Sequence, residues 1–172
     1  TLRLAPPERP GCEYVYANDC TAWLAGAEAR VSARIPLGSR RFVLRPAVSA
    51  TWMRGEDAST DTPLPEIPPL RIAAHLRHEG VVRARGTRYV VEAGVVYHGP
   101  QRRVSAAAGE PATSSFALVH VAAGFEWGPV LWFETVQVGV RATNLADVRY
   151  RHHLAWALGR GRDLRMTLRL VF

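Results

Sequence analysis

Arg162-Asp-Leu-Arg-Met-Thr-Leu-Arg-Leu-Val-Phe172 is the stretch whose alternation decides the fold. Leu164, Met166, Leu168, Leu170 and Phe172 share one face, and Asp163, Arg165, Thr167 and Arg169 share the other. A period of two marks a strand, because successive Cβ atoms of an extended chain point to opposite sides. One side is apolar, the other carries Arg at alternate positions, and the final residue is aromatic. A soluble sheet can alternate too. The three features together fit a membrane barrel better, with the apolar side toward lipid and the charged side toward a wet lumen.

The same split recurs upstream. Over 20–35, Trp23, Ala25, Ala27, Ala29, Val31, Ala33 and Ile35 oppose Gly26, Glu28, Arg30, Ser32 and Arg34. The Ala content alone favours helix. At about 100° per residue, however, Glu28, Arg30 and Arg34 scatter round the helix and leave no apolar stripe, so a strand is expected. Over 41–53, Phe42, Leu44, Pro46, Val48, Ala50 and Trp52 oppose Arg45, Ser49 and Thr51. Pro46 has no N–H for a ladder and predicts a bulge or local break. Further strands are expected over 70–79, 87–98, 116–127 and 134–143, which with 162–172 makes seven, and the alternation over 1–4 reads as the stub of another. His75, His98 and His120 fall on the charged face by the same parity.

The connections alternate in length. Long Pro-, Gly- and Asp-rich loops cover 5–19, 54–69, 99–115 and 144–161; short turns cover 36–39, 80–86 and 128–129. All long loops therefore lie at one end of the strands, as in up-and-down outer-membrane barrels with short periplasmic turns. Trp23, Trp52, Tyr97, Trp127, Trp132, Phe133 and Phe172 lie near strand ends, where interfacial girdles belong. The expected fold is all-β: an antiparallel up-and-down meander of about 7–8 strands, part of a transmembrane β-barrel.

Composition agrees. A hydrophobic content of 48% is too high for disorder, and no apolar run approaches the ~18 residues of a membrane helix. The net charge is +7, and all 22 basic residues are Arg. A GC-rich codon bias explains this, and so does an anionic partner such as lipopolysaccharide. Arg is spread over six of the seven expected strands rather than clustered on one of them, which argues against nucleic acid. Cys12 and Cys20 lack metal-ligand spacing. A loop-closing disulfide in an oxidising compartment is expected, with two unpaired thiols as the alternative. No signal peptide opens the sequence, so a chain bound for an outer membrane is expected to be the mature or C-terminal portion of something longer.

The run Val140-Arg-Ala-Thr-Asn-Leu-Ala-Asp-Val-Arg-Tyr-Arg-His-His-Leu154, followed by Gly161-Arg162 and a strand ending in Phe172, resembles the closing hairpin of TonB-dependent outer-membrane receptors. In that family the penultimate strand ends in an Asn-Leu-x-Asp-x-x-Tyr turn and Gly-Arg enters a last strand ending in Phe. The matching positions are Asn144, Asp147, Tyr150, Gly161, Arg162 and Phe172. Trp23-Leu-Ala-Gly-Ala-Glu28 is similar to the family's Gly-x-Glu strand, and Leu64-Pro-Glu-Ile-Pro-Pro-Leu-Arg71 to its Pro-x-x-Pro-Pro approach to the next strand. Nothing resembles the family's plug domain or energy-coupling box. The resemblance thus implies that residues 1–172 are the C-terminal segment of a receptor barrel in a Gram-negative outer membrane. It implies uptake of a scarce small-molecule or metal-chelate ligand such as an iron chelate, haem or a vitamin. The partners implied are outer-membrane lipid and lipopolysaccharide, and a TonB-type inner-membrane complex reached through N-terminal parts that this sequence lacks. A small closed outer-membrane barrel with a structural or adhesive role, or a soluble β-barrel carrier, are the alternatives.

Transport is what the resemblance implies, and no motif suggests catalysis. There is no Gly-x-Ser-x-Gly, no phosphate loop and no paired carboxylates on one face, so neither catalysis nor a cofactor is expected. Arg30, Arg34, Arg45, Arg71, Arg77, Arg88, Arg141, Arg165 and Arg169 line the charged face, where they can steer an anionic chelate or pair with plug carboxylates. Glu28, Glu92 and Glu126 read as their ion-pair partners. His152 and His153 in the last long loop, with His98, are candidate metal ligands, since imidazole suits Zn and Cu. Adjacent strand residues point opposite ways, so the competing expectation is that Tyr150, Arg151, His152 and His153 pack the hairpin.

Overall fold

Seven long strands lie side by side in chain order, each antiparallel to the next, in a computed structural model that describes residues 2–4, 14–16, 21–38, 41–82 and 87–172. In chain order the strands are β1 (Leu2–Leu4), β2 (Tyr14–Tyr16), β3 (Ala22–Ser32), β4 (Ile35–Leu37), β5 (Phe42–Asp57) and β6 (Thr62–Pro63). They continue with β7 (Arg71–Val82), β8 (Thr87–His98), β9 (Phe116–Trp127), β10 (Thr135–Thr143) and β11 (Asp163–Val171). No helix occurs among the described residues. The sheet runs β11-β10-β9-β8-β7-β5-β3, with β4 and β6 added beside β5.

Several expectations need correction. The stretch 5–19 is not all loop, because β2 lies within it. The stub β1 pairs with β2 in a separate two-stranded sheet. β5 continues to Asp57 and turns into β6, so 54–57 are strand where loop was expected. β7 runs to Val82, leaving a shorter turn than 80–86. The sheet does not close into a small barrel of its own: β3 and β11 form its two edges. Cys12 and Cys20 lie outside the described residues.

Pro46 makes a break but no bulge, and the break falls on its neighbour. Ser32 faces Ala47 and Ile35 faces Leu44, one unshifted register across the gap between β3 and β4. The Ala33 amide donates to the Pro46 carbonyl at 3.0 Å. Pro46 has no N–H to return, so the strand lapses at 33–34. On its other side β5 keeps its ladder with β7 through Pro46 and Leu76.

The registers carry one parity across all seven strands, so the sheet has one apolar and one charged face. The apolar face stays uncovered: Met166 is 76% exposed, Leu168 64% and Val48 51%. Val43 and Ala73 are the buried apolar residues among those described. A soluble sheet of this width would need a second layer on that side. Aromatics gather at the ends. Phe42 and Tyr89 close over Gly80, where an added Cβ would lie 2.6 Å from the Phe42 ring and 2.8 Å from that of Tyr89. Phe133 packs on Phe172 with centroids 4.8 Å apart.

Candidate functional site

The charged face is built from rows of residues that the register sets side by side. One row reads Arg45, Arg77, Glu92, Ala122, Arg141, Arg165 across β5 to β11. Glu92 is its one carboxylate. The small Ala122 between them lets Arg141 reach Glu92 at 3.6 Å. Elsewhere on this face Glu79 takes Arg45 at 2.7 Å and Arg77 at 3.3 Å, Arg88 lies 3.9 Å from Glu126, and Arg165 lies 2.7 Å from Asp163. Gln137 also donates to Glu126 at 2.9 Å. Glu92 and Glu126 thus each lie within 4.0 Å of an Arg. Glu28, on edge strand β3, has no such partner among the described residues. Arg30, Arg71 and Arg169 lie on the same face without a carboxylate within 4.0 Å among the described residues, and Arg169 lines a trough of about 790 Å³ at the short-turn end.

The adjacent row toward the long loops reads Ala47, His75, Gly94, His120, Thr143. Gly94 carries no side chain between the two imidazoles, and their centroids come to 5.2 Å. A Cβ on Gly94 would lie 2.5 Å from His120 Cε1 and 2.8 Å from His75 Nδ1. Glu92, two residues before Gly94 on the same face, brings Oε1 to 3.7 Å from His120 Nε2. Two imidazoles and a carboxylate from three strands converge, with one donor atom from each lying within 4.8 Å of the other two. Parity puts His75 and His120 on this face from sequence alone; their meeting over Gly94 needs the register.

At the long-loop end, His98 and His152 come together and His153 does not join them. His98 stacks on Phe116 at 4.7 Å, and His152 stands edge-on to His98 at 5.0 Å and to Tyr150 at 5.2 Å. Both ring nitrogens of His153 are shut off from solvent, without a hydrogen-bond partner among the described residues. The arrangement is an aromatic clamp between the last loop and β8–β9.

The closing-hairpin residues meet in one turn. Asn144 is 3% exposed with φ +51°, a left-handed backbone that Asn tolerates better than most. Its Nδ2 donates to the carbonyls of Val148 and Arg160 at 2.9 and 3.0 Å, and its Oδ1 accepts from the Val148 amide at 2.9 Å. Asp147 accepts from the Arg162 amide at 3.1 Å, and Gly161 lies against the same oxygen. Tyr150 lies flat on Gly159, where no side chain would fit.

Two other long loops are laced together above the sheet. Glu56, on the part of β5 that extends beyond its pairing with β7, accepts from Arg54 at 2.6 Å and from Arg103. The Arg54 hydrogen bond, with the charge of Arg103 beside it, holds the Glu56 carboxyl below its usual range. Gln101 Nε2 donates to the Ile67 carbonyl at 2.6 Å, and Glu110 accepts from the amides of Glu66 and Ser105.

No protein-family model matches the sequence, and no curated protein matches it. Among solved structures the chain is similar to the copper transporter OprC, with 18% identity and a TM-score of 0.66. The match covers 87% of this chain and 23% of that one, so the chain spans less than a quarter of that transporter's length. At this identity the likeness carries the fold: an antiparallel sheet that forms part of a larger transport protein there.

Proposed function

We propose that this chain is the C-terminal part of the barrel of a TonB-dependent outer-membrane receptor, which takes up a scarce metal ion or metal complex. What supports the reading most is one observation: seven meander strands keep a single uncovered apolar face and a single charged face. In a bilayer the apolar face meets lipid and the charged face lines a water-filled lumen. Edges β3 and β11 then pair with barrel strands from the rest of the receptor. The long loops face outward toward lipopolysaccharide, and Arg30, Arg71 and Arg169 add a positive field along the lumen that draws anionic chelates. Coupling to a TonB-type complex belongs to segments outside this chain. The fold similarity to a copper transporter makes copper the first cargo to test.

The test is made in a Gram-negative host. The full gene product is followed by membrane fractionation, and copper accumulation is compared in cells with and without the gene, with the coupling complex intact or deleted. The proposal expects the protein in the outer-membrane fraction and uptake that needs both gene and coupling complex. Recovery in the soluble fraction contradicts the membrane reading. Outer-membrane location without uptake of copper or other metal complexes contradicts the transport reading.

A further inference from the structure

We infer that His75, Glu92 and His120 form a binding site for a divalent transition-metal ion, of the Zn²⁺ or Cu²⁺ class, on the charged face at mid-strand. The donor set is the first reason. Two imidazoles and one carboxylate are three protein ligands of the borderline type these ions prefer, and they leave a position open toward the lumen. The second reason is that the donors are only loosely held. Among the described residues Glu92 Oε1 meets Arg141 at 3.6 Å and His120 Nε2 at 3.7 Å, both longer than a normal hydrogen bond. Yet the side chains of His120 and Glu92 are only 11% and 20% exposed. A cation between them would give these donors a direct ligand bond in place of the loose contacts.

The geometry is set by the sheet. The three donors stand on neighbouring strands in fixed register, and Gly94 removes the one Cβ that would hold the imidazoles apart. Their atoms lie within 4.8 Å of one another. A tetrahedral site with bonds of ~2.0 Å needs donors ~3.3 Å apart, a closure that side-chain rotation supplies. Arg141 and His120 both meet Glu92 Oε1, and a turn of the carboxylate would leave one oxygen to Arg141 and give the other to the metal. The Arg141 charge opposes a second cation, so the site suits reversible capture rather than a permanent structural ion. The site differs from the His98–His152 clamp, stands on its own geometry, and needs no transport to exist.

The test uses the full gene product purified in detergent, with Co²⁺ as a visible-spectrum probe and Zn²⁺ and Cu²⁺ followed by calorimetry. One equivalent of metal is expected to bind, more weakly on acidification because imidazole ligates only when deprotonated. His75→Ala and His120→Ala each weaken binding at least tenfold, and His152→Ala leaves it unchanged. Gly94→Ala keeps all three donors and still weakens binding, which no general loss of histidine explains. Circular dichroism checks folding, and if the His variants do not fold, Glu92→Gln decides by the same tenfold criterion. Absence of binding by the wild-type chain overturns the proposal, as does binding indifferent to His75, Glu92 and His120. Because uptake is not measured here, failure of this site and failure of the receptor reading are separate results.

Discussion

Asn144 shows how one side chain holds a hairpin. It is buried, left-handed and triply hydrogen-bonded to the loop it starts. At ~1 kcal/mol net per hydrogen bond, with an added backbone cost for a left-handed Ala, Asn144→Ala should destabilise the folded chain by about 3–4 kcal/mol. Asn144→Gly should cost about 1 kcal/mol less, since Gly adopts this backbone freely. Urea unfolding in lipid vesicles measures both. His153 is the converse case. Its ring nitrogens are buried and unpartnered among the described residues, so His153→Leu should leave stability unchanged or raise it in the same assay. The resemblance made the Asn144 motif visible in sequence, but not the Arg160 carbonyl that Asn144 reaches. Likewise parity placed His75 and His120 on one face, while their pairing over Gly94 depends on a register that no local pattern encodes.

On β11 the faces can be tested against each other. If the apolar face meets lipid, Leu168→Arg should cost about 2–4 kcal/mol of folding stability in a bilayer, and the neighbouring Thr167→Arg on the lumen side much less. In a soluble domain Leu168, already 64% exposed, would accept Arg with little cost. The laced loops carry a pH dependence. The folded-state Glu56 carboxyl is held low by Arg54 and Arg103, so its ordering contribution is fully present above the ordinary glutamate range. It is lost as pH falls through the depressed folded value. Hydrogen exchange at the Gln101 and Thr113 amides, which bond across the 99–115 loop, should therefore be slow at neutral pH. Under strong acid it should rise beyond the shift that the intrinsic exchange rate gives. Strands 87–98 and 116–127 were legible to the residue because they alternate cleanly between Gly- and Pro-marked turns. β5 was not: Arg54 and Glu56 look like loop residues, and their strand character comes from pairing with β3 and β6.

Across the whole molecule, the sheet among the described residues has β3 and β11 as its two edges, one uncovered apolar face, and a charged face whose ion pairs leave an excess of Arg. Loop asymmetry and alternation made the meander legible. Closure was not, because whether seven strands curl on themselves or join others depends on shear and strand number, which alternation does not report. The central claim is that the even positions of β11 face lipid and the odd positions face water. It is tested most directly by placing single nitroxide labels at residues 164 to 170 of the protein in a lipid bilayer and measuring collision with oxygen and with a water-soluble nickel chelate. The account predicts a strict period of two, with oxygen favoured at 164, 166, 168 and 170 and the chelate favoured at 165, 167 and 169. Uniform access of the chelate to all seven positions, or no alternation, would contradict it.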